Sequence, residues 1–287
     1  MASIRRKQEE YIYSSSELSA FYGLTIKGME FYEKKGLVHP ERVGSGKMRR
    51  YSLEDSYRLY CTRMFKNCGF SIQDTIALLE DNSFDHARDA LAQRMASMER
   101  EILTQQRILE ILRRTDALIS LAERGAPIYE VVDCPGFYRL FLRRFDGPHE
   151  SSAEETREYR CWNDHLPITA ASLRFPLADC RLDVRRVDTR VGLIVDRQDF
   201  EQLGFRESGR TQFIPGGRFL HTLLQGSSQR LAEADWLYPA LRYMRANGLR
   251  QTGDAFSRML FVVRAPEGDR RIDEAWFPCE RDEGDGA

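Results

Sequence analysis

Basic side chains that can contact phosphate are concentrated in one short segment near the start of the chain. The segment from Arg42 to Arg50 also contains Lys47 and Arg49 and carries no acidic residue, and Lys27 lies in a helical pattern before it. A small basic loop beside the N-terminus of a helix suits phosphate contact. The pattern favours nucleic acid as a partner, and a solvated surface loop remains the alternative.

A second set of residues, in the latter half of the chain, is rich in aromatic rings and contains one acid. Alternation along a strand at residues 274–277 puts Glu274 and Trp276 on one face. Aromatic rings around a carboxylate suit planar, hydrophobic or cationic molecules. Core packing is the alternative for the rings, and a solvated strand position is the alternative for the acid. The candidate ligand-binding residues are Tyr138, Trp162, Phe219, His221, Trp236, Tyr238, Glu274 and Trp276.

The sequence predicts no catalytic residues, no metal site and no cofactor. It contains no clear Ser/His/Asp or Cys/His constellation, and its six cysteines are scattered without CxxC spacing. The chain has 43 Lys and Arg residues against 44 Asp and Glu residues, a net charge of −1. Any attraction to nucleic acid must therefore come from a local basic patch.

Nothing in the sequence predicts a membrane association. No apolar run approaches the roughly 20 residues that span a bilayer. The first ten residues include three basic residues and no apolar core of the kind a signal peptide has. We therefore expect a cytoplasmic protein.

The elements that must position the basic residues form a helix-turn-helix pattern. Ser14, Ser15 and Ser16 can cap a first helix, which Gly23 ends. Thr25 can cap a second helix that runs to residue 35. The basic loop follows this second helix. This order predicts a winged helix-turn-helix domain over residues 1–90.

A long helix without Gly or Pro is predicted over residues 92–123, within a coiled-coil segment at 91–124. Its seam residues step by three and four in turn, as in a heptad pattern. Such a stripe needs a partner, either a second copy of the chain or the helix's own domain. The seam residues are Met95, Met98, Ile102, Gln105, Leu109, Leu112, Asp116 and Ile119.

Residues 128–287 change character and read as short strands with helical patterns between them. A weak internal repeat begins near Gly136 and again near Gly217, each time as strand, helix and strand. The repeat predicts two β-α-β halves in an α+β domain with a groove between them. Chance similarity between short strands is the alternative.

Residues 11–80 resemble the DNA-binding domain of MerR-family transcription regulators. The matching motifs are Glu17-Leu18-Ser19, Gly23-Leu24-Thr25, Phe31-Tyr32-Glu33, Gly36-Leu37-Val38, Arg49-Arg50-Tyr51 and Gly69-Phe70-Ser71-Ile72. Two departures are Glu30, where the family usually has a phosphate-contacting Arg, and Met48, where it usually has Tyr. Glu30 is expected to weaken DNA binding. The candidate DNA-binding residues are Ser15, Thr25, Lys27, Tyr32, Arg42, Lys47, Arg49, Arg50 and Tyr51.

The second half of the repeat resembles the GyrI-like effector-binding domain. The similarity rests on Ala246-Asn247-Gly248-Leu249 and on Glu274-Ala275-Trp276-Phe277-Pro278. It implies that Glu274 is a pocket glutamate. The two resemblances together imply a homodimer that binds promoter DNA, senses a small-molecule effector and acts indirectly on RNA polymerase. The rival prediction is a small-molecule hydrolase, with Glu274 as general base, or a drug-sequestering protein.

Overall fold

The computed structural model describes residues 11–43, 48–81, 83–125, 127–147, 152–265 and 268–282. The chain divides into two units, Met1–Thr104 and Gln105–Ala287. The predicted division into residues 1–90, 91–124 and 128–287 stays a prediction.

The first unit contains a three-stranded antiparallel sheet and four short helices. Its strands are β1 (Tyr11–Ser14), β2 (Glu41–Val43) and β3 (Met48–Ser52), in the order β1-β3-β2. Its short helices are α1 (Ser15–Tyr22), α2 (Ile26–Lys34), α3 (Leu53–Asn67) and α4 (Ile72–Glu80). This arrangement confirms the predicted helix-turn-helix with a wing.

The helix ends in this unit are fixed by local chemistry. The side chain of Ser14 accepts a hydrogen bond from the backbone N–H of Glu17 and caps α1, and Gly23 follows with a left-handed φ of 61°. Thr25 Oγ1 accepts from the backbone N–H of Gly28 at 3.0 Å and caps α2. The turn between α1 and α2 is therefore specified by residues at its two ends.

A 40-residue helix, α5 (Phe84–Glu123), begins eight residues before the predicted start. Its predicted seam is open to solvent: Met95, Ile102, Leu109 and Leu112 are 58%, 52%, 46% and 54% exposed. An apolar stripe of this kind indicates that a partner surface is needed to cover it.

In the described part of the chain, the second unit contains seven strands, four of them longer than ten residues. The strands are β4 (Tyr129–Arg144), β5 (Ala170–Phe175), β6 (Arg190–Asp196), β7 (Thr211–Ser227), β8 (Leu249–Gln251), β9 (Ala255–Ala265) and β10 (Gly268–Arg281). Its helices besides α5 are α6 (Ala153–Asn163), α7 (Arg197–Gln202) and α8 (Tyr238–Ala246). The fold is α+β, as predicted.

The sheet closes on itself. Its strand order is β7-β4-β6-β5-β9-β10-β8, and β10 also pairs with β7. Six strands thus form an antiparallel barrel, with β8 beside β10. The first predicted β-α-β half has one more strand than expected, because β5 and β6 both follow α6. The second half has two more, because β8, β9 and β10 all follow α8.

One hydrophobic cluster, here called the barrel cluster, takes one buried residue from each barrel strand. Because all six strands contribute, this cluster lies in the barrel interior. Ala275 and Phe277, the neighbours of Trp276 along β10, belong instead to a cluster with α8. The barrel cluster consists of Phe137, Ala170, Ile194, Phe219, Phe256 and Trp276.

Candidate functional site

The first unit presents basic side chains on α2 and on the wing. Lys27 and Arg42 are exposed, and Arg50 is half-buried on β3. Thr25 caps α2 and is exposed. Lys47, also a predicted contact, lies outside the described residues. Thr25, Lys27 and Arg42 are therefore accessible to solvent, and their contact with phosphate stays a prediction.

Arg49, the central basic residue of the wing, is paired within the unit. Its Nη1 donates to Glu30 Oε1 at 3.1 Å, and its Nε lies 3.1 Å from Glu33 Oε2. Glu30, which differs from the residue usual in the family, is therefore paired with Arg49 and neutralises part of its positive charge.

Three other predicted DNA contacts support the fold of this unit. Tyr32 and Tyr51 are 4% and 0% exposed and lie in its core. The hydroxyl of Ser15 donates to Tyr51 Oη at 3.3 Å. Burial leaves the two tyrosine rings little surface to offer to DNA, so their effect on binding would be through the position of α1 and the wing.

A set of charged residues, here called the ion cluster, meets the barrel cluster at Trp276, through His221 and Arg258. It consists of Arg107, Arg114, Asp196, Asp199, His221, Arg258 and Glu274. Glu274 is 1% exposed, and its Oε1 accepts a hydrogen bond from Arg114 Nη2. His221 Nε2 lies 2.7 Å from the same oxygen. Glu274 is therefore a buried carboxylate with two nitrogen partners on a single oxygen.

A second group of ion pairs joins α5 to β6 and α7 within the second unit (Gln105–Ala287), here called the barrel unit. Arg107 Nη2 lies 2.7 Å from Asp196 Oδ2 and 2.7 Å from Asp199 Oδ2. Arg258 Nη2 donates to Asp196 Oδ1 at 2.6 Å, and its guanidinium carbon lies 5.6 Å from the ring centre of Trp276. Charge thus alternates from α5 to β9.

The ion cluster lowers the pKa of two of its carboxyl groups, those of Glu274 and Asp196. Burial raises the pKa of Glu274, but the hydrogen bond to His221 and the charges of Arg114 and Arg258 outweigh burial, so the pKa lies below its ordinary value. The pKa of Asp196 is also lowered: burial raises it, and Arg258 and Arg107 outweigh that effect. The stability from these pairs is present above the unfolded pKa and is lost as pH falls through the folded pKa.

A cavity of about 460 Å³ opens beside the barrel cluster. Its aromatic wall consists of Phe213, Phe219 and Phe256, and the ion pair between Arg174 and Asp254 also lines it. Phe256 stacks on Trp276, with ring centres 5.5 Å apart. A flat apolar molecule in this cavity would therefore contact a wall that packs directly on Trp276.

The structure brings together four of the eight predicted ligand residues, Phe219, His221, Glu274 and Trp276. Of the others, Trp162 is buried against Phe205, while Tyr138 stacks on Phe200 at 3.8 Å. Trp236 and Tyr238 pack in the hydrophobic cluster that includes Ala275, Phe277 and α8. The ring of Trp236 contacts Phe175, and the hydroxyl of Tyr238 donates to the carbonyl of Val184.

Sequence reasoning missed the arginines of the ion cluster. Arg107 and Arg114 are seven residues apart, so they share one face of α5 and occupy the same heptad position. That spacing was the available signal.

Among the described residues, no group of three His, Cys, Asp or Glu side chains could hold a metal ion, and no helix is long and apolar enough to cross a membrane.

The chain is similar to known regulators over its first part. The family model described as MerR HTH family regulatory protein matches residues 13–82. The transcriptional regulator CueR of Salmonella typhimurium is 30% identical over 121 residues, which is 42% of this chain and 86% of CueR. The regulator HmrR of Rhizobium leguminosarum is 35% identical over 104 residues, which is 34% of this chain and 77% of HmrR.

Among solved structures, the EcmrR–DNA complex in EcmrR-RPo is 16% identical to this chain. The match covers 94% of this chain and 100% of that one with a TM-score of 0.37. The family match ends at residue 82 and leaves the barrel unit outside it.

Proposed function

Because the chain belongs to the MerR HTH family of regulatory proteins, we propose that it works as a dimeric regulator that senses an effector. DNA binding and transcription regulation follow from the family. The effector is a small aromatic cation or hydrophobic molecule bound by the barrel unit, a GyrI-like domain by resemblance. The observation that carries this proposal is the buried carboxylate of Glu274, which lies two residues before Trp276 on β10. Trp276 belongs to the barrel cluster, and two other rings of that cluster, Phe219 and Phe256, line the cavity.

Dimerisation is the second part of the proposal. The apolar seam of α5 is exposed along its length, and burying it in a second copy would remove apolar surface from water. The dimer would place two copies of the wing and α2 on one promoter. RNA polymerase would respond indirectly, through the conformation of that promoter.

Effector sensing requires two conformations of the dimer with different affinities for the ligand, because equal affinity shifts no population.

The hydrolase alternative receives less support. A general base works best with a pKa near the operating pH. The pKa of Glu274 is lowered by its hydrogen bond to His221 and by arginine charges, so this carboxylate is a weak base.

The experiment for the proposed function measures transcription and binding together. The full-length protein, DNA from upstream of its own gene and RNA polymerase would be assayed with a panel of aromatic cations and neutral analogues. We expect at least one compound to bind the protein, to change transcript yield and to be recovered unchanged by mass spectrometry. Recovery of a hydrolysed product would support the enzyme alternative, and no change in transcription with any bound compound would contradict the proposal.

Glu30→Arg is expected to raise affinity for DNA of any sequence. The substitution releases Arg49 from one of its two acidic partners and adds a positive charge near the wing. Each added phosphate contact should steepen the salt dependence of binding by about one unit of slope. Fluorescence anisotropy over a range of salt concentrations measures both quantities.

The matched control is Glu80→Arg, which makes the same change of charge at an exposed acid at the end of α4. It should change affinity and salt slope much less than Glu30→Arg does. Unchanged or weaker DNA binding by Glu30→Arg would show that Glu30 lies away from the DNA-facing surface.

A further inference from the structure

The guanidinium of Arg139 is buried inside the barrel without an acidic partner. Arg139 is 1% exposed and lies two residues after Phe137, so it shares the inward face of β4. Its Nε donates to Ser172 Oγ at 3.2 Å, and its Nη2 donates to the carbonyl of Arg190 at 2.5 Å. Both acceptors are neutral. A buried charge without an opposite charge costs free energy, so this position favours an anion nearby.

The electrostatic surroundings of Arg139 are positive. Burial, the larger cause, and the charges of Arg174 and Arg190 lower the pKa of Arg139 to about 9, and Asp254 opposes them only in part. Arg139 is therefore still protonated at neutral pH. Asp254 is paired with Arg174, and Asp188 is paired with Arg190. Neither acid is left to balance the charge of Arg139.

The cavity of about 460 Å³ lies next to this charge. Gln212, which lines the cavity, is the cross-strand neighbour of Arg139 in the pairing of β7 with β4. Arg174 also lines the cavity. It lies two residues after Ser172 on β5, and Ser172 accepts the hydrogen bond from Arg139. Two strands thus connect the cavity wall with Arg139.

The cavity and its surroundings carry an excess of positive charge. Among the described residues that line the cavity, the charges of Arg174 and Arg218 cancel those of Asp254 and Glu280. Arg139 adds one positive charge behind the wall. The contacts of Arg174 with Asp254 use Nε and Nη2, which leaves the Nη1 of Arg174 for a ligand.

We propose that this cavity binds a small aromatic carboxylate, which accepts a hydrogen bond from Arg174 and balances the charge of Arg139. The inference goes beyond the proposed function, because it assigns the cavity a ligand opposite in charge to the cation expected near Glu274. The barrel cluster stands between the two sites, since its Phe219 and Phe256 line the cavity while its Trp276 meets the ion cluster.

The size, wall and charge of the cavity each narrow the class of ligand. Its volume lies within the range of about 300–1,000 Å³ that is usual for small-molecule sites. The rings of Phe213, Phe219 and Phe256 form an apolar wall that suits a flat ring system. One excess positive charge suits a monoanion, and a carboxylate has the planar geometry to which a guanidinium donates.

Isothermal titration calorimetry on the full-length protein tests the inference with 2-naphthoate and 2-naphthamide. The two compounds have the same ring system and differ in charge. We expect the wild type to bind 2-naphthoate at least about tenfold more tightly, because a hydrogen bond to a charged acceptor is stronger than one to a neutral acceptor.

Asp254→Asn is expected to lower the Kd of 2-naphthoate about three- to tenfold, because it removes the acid that competes for Arg174. The asparagine keeps an oxygen for the backbone N–H of Leu177, which now donates to Asp254 Oδ1 at 2.8 Å. The matched control is Asp183→Asn, the same change in an exposed ion pair with Arg181 beside a different cavity. It should leave the Kd within about twofold.

Arg139→Met removes the buried charge and keeps much of the side-chain volume. This variant should bind 2-naphthoate about tenfold more weakly or worse and should bind 2-naphthamide within about twofold of the wild type. Urea denaturation followed by tryptophan fluorescence verifies that it is folded. If it does not fold, Asp254→Asn still decides the matter.

Any of four results would overturn the inference. The wild type could bind 2-naphthamide as tightly as 2-naphthoate, or 2-naphthoate could bind to no variant. Asp254→Asn could leave 2-naphthoate binding unchanged or weaker, or a folded Arg139→Met protein could keep the preference for the anion. Failure here is distinct from failure of the proposed function, because a cation could still change transcription when 2-naphthoate does not bind. Conversely, 2-naphthoate could bind when no cation changes transcription.

Discussion

Replacing both Leu109 and Leu112 by Asp is expected to convert a dimer into monomers that bind promoter DNA about a hundredfold more weakly or worse. Both side chains are about half exposed on α5 and occupy seam positions. Two buried carboxylates in an apolar seam would cost more than the seam contributes. Light scattering at micromolar concentration measures the assembly, and anisotropy measures DNA affinity.

Leu103→Asp is the matched control, because Leu103 is 66% exposed on the same helix but lies outside the heptad seam. It should leave the dimer and the DNA affinity nearly unchanged. If the wild type scatters light as a monomer, or if the double variant remains dimeric, α5 is not the dimer interface.

The two faces of α5 make different contacts. The seam positions face a proposed partner, while Arg107 and Arg114 share a different heptad position and meet acids of the barrel unit. A helix that is bound on both faces can transmit a change on one face to the other. Hence a substitution at Arg114 should affect ligand binding without removing the dimer, and one at Leu109 should do the reverse.

Local features of the fold were predictable because nearby residues determine them. Gly23 and Thr25 mark the turn between α1 and α2, and Ser71 caps α4, each through contacts within a few residues. The 40-residue helix was also evident from its heptad pattern, although its first turns were missed. Such signals do not depend on how distant segments pack.

The strand β5 was missed because its sequence, AASLRF, is short and begins with two alanines, which are weak strand formers, although its last five residues alternate between apolar and polar. It is stabilised by pairing with β6 and β9. Arg114 and Glu274 are 160 positions apart, so no local pattern links them. The aromatic residues were recognised by composition, but composition could not tell a ring of the barrel cluster, such as Trp276, from one in another cluster, such as Trp162.

Trp276→Ala is expected to destabilise the barrel unit by about 3–5 kcal/mol, the usual loss for a large buried aromatic side chain. Trp276 is 2% exposed, and its ring centre lies 5.1 Å from that of Phe137 and 5.5 Å from that of Phe256. All three tryptophans lie in this unit, so tryptophan fluorescence during urea denaturation follows its unfolding, with two reporters left in the variant.

Because of this loss of stability, weaker effector binding by Trp276→Ala could come either from a lost ligand contact or from partial unfolding of the barrel unit. Phe213→Ala separates the two effects. Phe213 lines the cavity and is 38% exposed, so its removal should cost less than about 1 kcal/mol of stability. If it contacts the ligand's aromatic part, the same change should weaken effector binding about 5- to 30-fold. A loss of under 1 kcal/mol in Trp276→Ala would instead show that Trp276 contributes little to the core and is available to a ligand.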